Sequence, residues 1–373
     1  MPTYAQADGR IDLKSLTLPE IEVALGGLGS EKFRALQVYK WLWQKHATSF
    51  DVMTNISKAA RARLAEQYYL SSLELTDARR SRDGTVKFLW RTDDGHTIES
   101  VLIPDDGTGA NRDDRPPEPG ERLTLCVSTQ VGCAMACSFC LTGDMGLKRN
   151  LRPSEIANQP LQVRATLGEG VRITNIVMMG MGEPLHNYDN LVAALHTYLD
   201  EDALGFSHRK VTVSTVGLVP AMQKLADTLP VNLAVSLNAS TEAQRHEVMP
   251  ITRKYSMTEL LDACRLLPIP HHKRITFEYV MMAGFNDAME DAGRLVKLLR
   301  GIKSKVNLIP YNENPDRDIK RPTEERVRAF QHYMVTHGVQ CSVRSTRGID
   351  VSAACGQLGK GKGTVMAAAI TSG

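Results

Sequence analysis

Hydrophobic positions keep a helical period at the start of the chain. In SEKFRALQVYKWLWQK, residues 30–45, Ala35, Val38, Tyr39 and Leu42 recur three and four apart, which predicts a helix. A second helix is expected to start after Asn55 and to run through SKAARARLAEQY. Together they make residues 1–75 a small helical module, in which Tyr39 and Trp43 read as core rather than as a platform for stacking bases. The period then shortens. TVKFLWR and TIESVLIP flank TDDGH, a strand, turn and strand signal that predicts a β-hairpin. Next comes DDGTGANRDDRPPEPGER, rich in Pro, Gly and charge without apolar periodicity, so residues 76–121 read as a hairpin plus linker that ends the first module. From 122 onward seven strand-like runs follow: LTLCVS, ITNIVMMG, KVTVST, VNLAVSLN, ITFEYVMM, KVNLIPYN and CSVRST. They alternate with amphipathic segments such as 187–200 and 323–337, which predicts an α/β domain over 122–355 built of βα units. A complete or partial barrel accounts for that number of units better than an open sheet. A short tail, 356–373, completes the chain.

With 373 residues and 42% hydrophobic content, the chain can bury a large catalytic core and a smaller appendage. Its apolar runs are far shorter than the roughly 18 residues of a membrane helix. The opening MPTYAQADGR lacks a basic, apolar, small-residue leader pattern, so no membrane association and a cytoplasmic address are expected. The balance of 45 basic against 42 acidic residues is too even to argue for nucleic acid by itself. RRSR at 79–82, KAARAR at 58–63, HHKR at 271–274 and GKGKG at 359–363 could meet phosphates, although any one reads first as solvated surface.

The candidate chemistry lies in CVSTQVGCAMACSFC, residues 126–140, which holds four of the seven cysteines. An odd, clustered count in a reducing compartment is a poor disulfide framework. A single cysteine is most often a buried, inert thiol, but three in a C-x3-C-x2-C run are not. Structural zinc needs four ligands, and no second pair follows. An iron-sulfur electron carrier needs a fourth cysteine, for which Cys126 inside a predicted strand is badly placed. Three thiolates on a four-iron cluster leave one iron open, which means chemistry.

Cys133, Cys137 and Cys140, with Phe139 before the last, resemble the signature of radical S-adenosylmethionine (SAM) enzymes. The resemblance implies a partial (βα)6-type barrel holding a 4Fe-4S cluster whose open iron chelates SAM; reductive cleavage of SAM then yields a 5′-deoxyadenosyl radical. The run follows directly on a strand, as sites of βα barrels do. MGMGEP at 179–184 resembles the superfamily element in which Gly182 and Glu183 hold the SAM amino group; alone it would be a tight strand exit. Ser214, Ser236, Leu237, Asn238 and Asn312, at or beside strand ends, are the further SAM contacts implied.

More specifically, FRALQVYKWLWQ, IESVLIP, VMMGMGEPLHNYDN, VTVSTVGLVP, LAVSLNAS, PITRKY, LIPYN and DVSAACGQL resemble the ribosomal and transfer RNA adenine-C2 methyltransferases, in that family's order over about residues 18–362. The resemblance implies that SAM methylates Cys355, that a second SAM supplies the radical that activates the S-methyl group, and that the carbon radical adds to adenine. It further implies that Glu99 takes the proton from carbon 2 and that Cys126 resolves the protein–RNA adduct, forming a disulfide with Cys355. Expected partners are 23S ribosomal RNA, transfer RNA, a flavodoxin-type or other reductase as electron donor, and a thiol reductant to reset the disulfide; a monomer is expected. The helical module would help to grip RNA. The sister group that methylates carbon 8 of the same ribosomal adenine is the alternative reading, and a non-catalytic metal-binding or RNA-binding module the remote one. Cys264 and Cys341 match no role and read as buried thiols.

Overall fold

The computed structural model describes residues 4–6, 8–27, 32–105 and 117–359, so the expected linker and tail are described only at their inner ends and most of GKGKG lies outside the described residues. Its centre is a ten-stranded sheet made of β1 (Glu74–Arg80), β2 (Val86–Arg91), β3 (Thr97–Asp105), β4 (Arg122–Cys126), β5 (Asn175–Met178), β6 (Val211–Thr215), β7 (Asn232–Ser236), β8 (Ile275–Met281), β9 (Ser304–Pro310) and β10 (Cys341–Val343). Strand order across the sheet is the order along the chain. β4 to β10 are parallel. β1 to β3 join them as an antiparallel meander. β10 and β1 are opposite edges, so the barrel is partial, as expected. The predicted hairpin is β2–β3. It carries an extra strand, β1, whose sequence ELTDARR has no apolar face because it lies at the sheet's exposed edge.

Side-chain alternation along the parallel strands divides the sheet into two faces. Val211 and Val213, Phe277 and Tyr279, and Val306 and Leu308 are buried in the core. Helices such as Pro153–Ala165, Tyr188–Leu199, Met289–Leu298 and Glu324–Thr336 connect the strands. The intervening positions, Thr212 and Ser214, Thr276 and Glu278, Asn307 and Ile309, line the clefts of the other face.

Among the described residues the N-terminal module has three α-helices, Leu18–Gly27, Lys32–Trp43 and Lys58–Gln67, plus a two-residue parallel pair, Ile11–Asp12 with Tyr68–Tyr69, that its sequence did not predict. Tyr39 and Trp43 are buried, which stabilises the module by about 2–3 kcal/mol per ring. Polar contacts attach it to the barrel. The buried Asp12 carboxylate accepts from the Ser15 hydroxyl (2.8 Å), the Ser71 amide (3.3 Å) and the Ser154 hydroxyl, and Lys14 Nζ donates to Asn158 (3.2 Å). Among the described residues no helix is long and apolar enough to cross a membrane.

Candidate active site

The cysteine run forms a compact loop between β4 and helix Pro153–Ala165. Its tight entry needs Gly132, at φ +75°, where a Cβ would stand 1.9 Å from the Gly146 carbonyl oxygen. The loop is braced from below by Arg317. Its guanidinium pairs with Asp144 (2.6 Å) and donates to the carbonyls of Ser138 and Cys140 (3.2 Å to the latter). Cys133, Cys137 and Cys140 consequently line one wall of a cleft on the inner face of the sheet.

Burial, and the neighbouring thiols, push Cys137 well up from the usual thiol range. Burial likewise pushes Cys133 up to about 12. Buried Cys133 and Cys137 are disfavoured as thiolates unless a cation joins them, and the half-buried Cys140 lines the same cleft, so this donor set suits an iron-sulfur cluster. Among the described residues no three His, Cys, Asp or Glu side chains are placed to share one metal ion.

Opposite the cysteines stands the exit of β5. Gly182, at φ +104°, passes so close to Gln130 that a Cβ would lie 2.6 Å from the Gln130 Cβ. The next residue, Glu183, is buried with its carboxylate accepting from the amides of Leu185 (3.1 Å) and Val216 (2.9 Å). Burial raises its pKa to about 7 despite these donors. Its partners are neutral, so a cationic group entering the cleft would stabilise the carboxylate; the amino group of SAM is such a group. Ser214, Ser236, Asn238 and Asn312 line the same cleft. Asn238 holds φ +56° with Oδ1 accepting from the Val280 amide (2.9 Å). Leu237 between them is core, 1% exposed, with its amide donating to the Glu278 carbonyl (2.9 Å).

Two further cysteines of the expected site, Cys126 and Cys355, lie beside the cleft. All seven cysteines are free thiols, with no disulfide formed. Cys355 is exposed on the segment after β10 and lines the cleft, while Cys126 is buried at the end of β4; both line one smaller cavity. Burial first, then the Cys355 charge, pushes the Cys126 thiol up to about 12, against the pull of Arg344. The Cys355 segment is attached to the cysteine loop, the Leu141 amide donating to Gly356 O (2.8 Å) and the Thr142 hydroxyl to Leu358 O (2.8 Å).

Glu99 is not brought into this group. It is buried on β3, paired with Lys87 (3.4 Å), and its Oε2 accepts from the Gly359 amide (3.0 Å), so it touches the Cys355 segment rather than the cleft. Two site residues had escaped the sequence reading. Arg344 lines both cavities, and Glu278 lines the main cleft with Oε2 buried and unpartnered. A carboxylate inside the apolar run ITFEYVMM was the available signal for Glu278. Cys264 and Cys341 are buried, as expected.

Comparison with known proteins agrees with this geometry. Residues 11–70 match the family described as "Ribosomal RNA large subunit methyltransferase N-terminal domain", and residues 127–296 match the "Radical SAM superfamily". The chain is 51% identical over 354 residues to the dual-specificity RNA methyltransferase RlmN of Pelobacter propionicus, covering 95% of this chain and 96% of that one. It is 50% identical over 365 residues to the protein of that name from Syntrophotalea carbinolica, covering 98% and 94%. A crystal structure of a radical SAM methyltransferase from Sphaerobacter thermophilus superposes with a TM-score of 0.83 at 41% identity, covering 93% of this chain and 98% of that one. The chain therefore belongs to the RlmN family of radical SAM RNA methyltransferases.

Proposed function

We propose that the chain transfers a methyl group to carbon 2 of an adenosine in both 23S ribosomal RNA and transfer RNA, with Cys355 as methyl carrier and Cys126 as resolving thiol. The observation that supports it most is the shared cavity of these two cysteines beside the wall of Cys133, Cys137 and Cys140. The dual-specificity name of the relatives supports the pair of RNA substrates.

Carbon 2 lies between two ring nitrogens and is too electron-poor to attack a methyl cation donor. A cluster on Cys133, Cys137 and Cys140 with SAM would supply the radical chemistry that this carbon requires. The chain's own residues do the rest. Gly182 and Glu183 orient SAM by its amino group, with Ser214, Ser236, Asn238 and Asn312 around the remainder and the Leu237 backbone beside them. Cys355, exposed to the cleft, takes a methyl from one SAM, and a second SAM serves its activation. Glu99 takes the ring proton once the Gly359 amide has left its carboxylate. Cys126, as a thiolate beside Arg344, attacks the Cys355 sulfur: the sulfur–sulfur bond forms as the bond from the Cys355 sulfur to the methylene on the ring breaks, and that carbon takes a proton to become the product's methyl group. The resulting disulfide needs an external thiol, and the cluster an external electron donor of flavodoxin type or another reductase.

Anaerobic reconstitution with SAM, reductant and unmodified ribosomal or transfer RNA, followed by nucleoside mass spectrometry, tests this. 2-Methyladenosine is expected from both RNAs and should vanish in Cys355→Ala. 8-Methyladenosine instead would assign the chain to the sister reaction, and methylation persisting in Cys355→Ala would remove the carrier role.

A further inference from the structure

The segment that carries Cys355 is held at both ends by one buried ion pair. Lys87 on β2 and Glu99 on β3 are diagonal neighbours in the antiparallel register, where Leu89 faces Glu99 and Lys87 faces Val101. Their side chains are 7% and 3% exposed and 3.4 Å apart. Lys87 Nζ also donates to the carbonyl of Ser352 (3.2 Å), three residues before Cys355. Glu99 Oε2 accepts from the amide of Gly359 (3.0 Å), four residues after it. The contacts run Ser352 carbonyl, Lys87, Glu99, Gly359 amide, so the charges clip the two ends of an eight-residue loop to the same spot on the sheet. Ser352 needs such a partner, since it holds a left-handed backbone, φ +52°, that a serine adopts reluctantly.

We infer that Lys87 is a positioning residue that fixes the Cys355 segment over the cleft, through its own bond to Ser352 and through its hold on Glu99. This rests on the reading of Cys355 as methyl carrier. A carrier sulfur has to meet two partners in turn, SAM and then RNA, so the loop bearing it needs a defined resting place and a means of release. A carboxylate without a counter-charge would be costly at this buried place; Lys87, 3.4 Å away, compensates it and holds it toward the Gly359 amide. Separating the Gly359 amide from Glu99 undoes one end of the clip and leaves Lys87 in place at the other.

Hydrogen exchange of the full chain, followed by mass spectrometry without cofactor, reads the clip directly. In Lys87→Met, peptides spanning 352–359 should exchange about ten-fold faster, while peptides of β2, β3 and the parallel strands keep their protection. Lys87→Arg, which keeps the cation, should restore slow exchange. In the reconstituted enzyme the same Met variant should still cleave SAM but yield about ten-fold less methylated RNA per SAM consumed, with Arg recovering most of that coupling. Unchanged exchange over 352–359 in a Lys87→Met protein with intact strands overturns the proposal. Loss of protection throughout, not rescued by Arg, overturns it equally, because Lys87 would then support the fold as a whole. Should only Lys87→Met fail to fold, Lys87→Gln is judged by the same two outcomes. If wild-type methylation proves independent of Cys355 while the exchange result holds, the carrier reading fails and the clip remains.

Discussion

The side-chain amide of Asn312 donates to the backbone carbonyl of Cys355 at 3.1 Å. One residue therefore lines the cleft proposed for SAM and touches the segment proposed to accept its methyl group. Asn312→Ala should slow methylation of Cys355 by about ten-fold or more, as a misplaced acceptor does. The mass of the intact protein after incubation with SAM measures it, and undiminished loading would remove Asn312 from this role.

Cys126→Ala should leave SAM cleavage and attack on RNA intact but trap the product on Cys355. A denaturant-stable protein–RNA band that ribonuclease trims is the expected sign. If the variant cleaves SAM and no such band forms, the resolving role is wrong.

Cys137→Ala should prevent assembly of the cluster while leaving the fold standing, since Arg317 braces the same loop through backbone carbonyls. Iron and sulfide analysis after reconstitution should give values near background. A full iron complement would count against the ligand set.

Gly182→Ala introduces a methyl 2.6 Å from Gln130 Cβ at a positive φ. About 1–3 kcal/mol of stability should be lost, from crowding and from the strained backbone. Urea unfolding measures this. An unaltered midpoint would mean that the β5 exit is free to move aside.

The Glu183 carboxyl is raised from 4.5 to about 7 by burial. Between those values the folded chain holds a proton that the unfolded chain has lost. The contribution of this group is thus present below pH 4.5 and is lost as pH rises to about 7, with no further change above. The loss amounts to about 3 kcal/mol at 1.36 kcal/mol per unit. In cluster-free protein, Glu183→Gln should remove that part of the pH dependence, as read by urea unfolding at pH 5 and pH 7.5. The same slope in both proteins would refute the assignment.

The parallel strands were legible because each is a short apolar run bounded by polar turns, and the spacing of Cys133, Cys137 and Cys140 singled out the loop that lines the cleft. β1 was not, since ELTDARR at a sheet edge buries no apolar stripe. The pairings around Cys355 were invisible for a different reason. Lys87 and Ser352 are 265 positions apart, and Glu99 and Gly359 are 260, so no local pattern connects them. Glu99 shows the limit of transferring a role by motif. The motif locates the residue but not its partners, and those partners determine when its carboxylate is available.

A sheet whose strand order repeats the order of the chain can be laid down while the protein is still being synthesised, each strand finding its neighbour among the residues just made. The segment bearing Cys355 breaks that rule, for after the last strand it is bonded to β2 and β3, near the start of the sheet. The sulfur proposed to accept the methyl group is therefore set in place only after all ten strands of the sheet have emerged. Until then the growing polypeptide holds Cys133, Cys137 and Cys140 without the residue proposed to receive a methyl group.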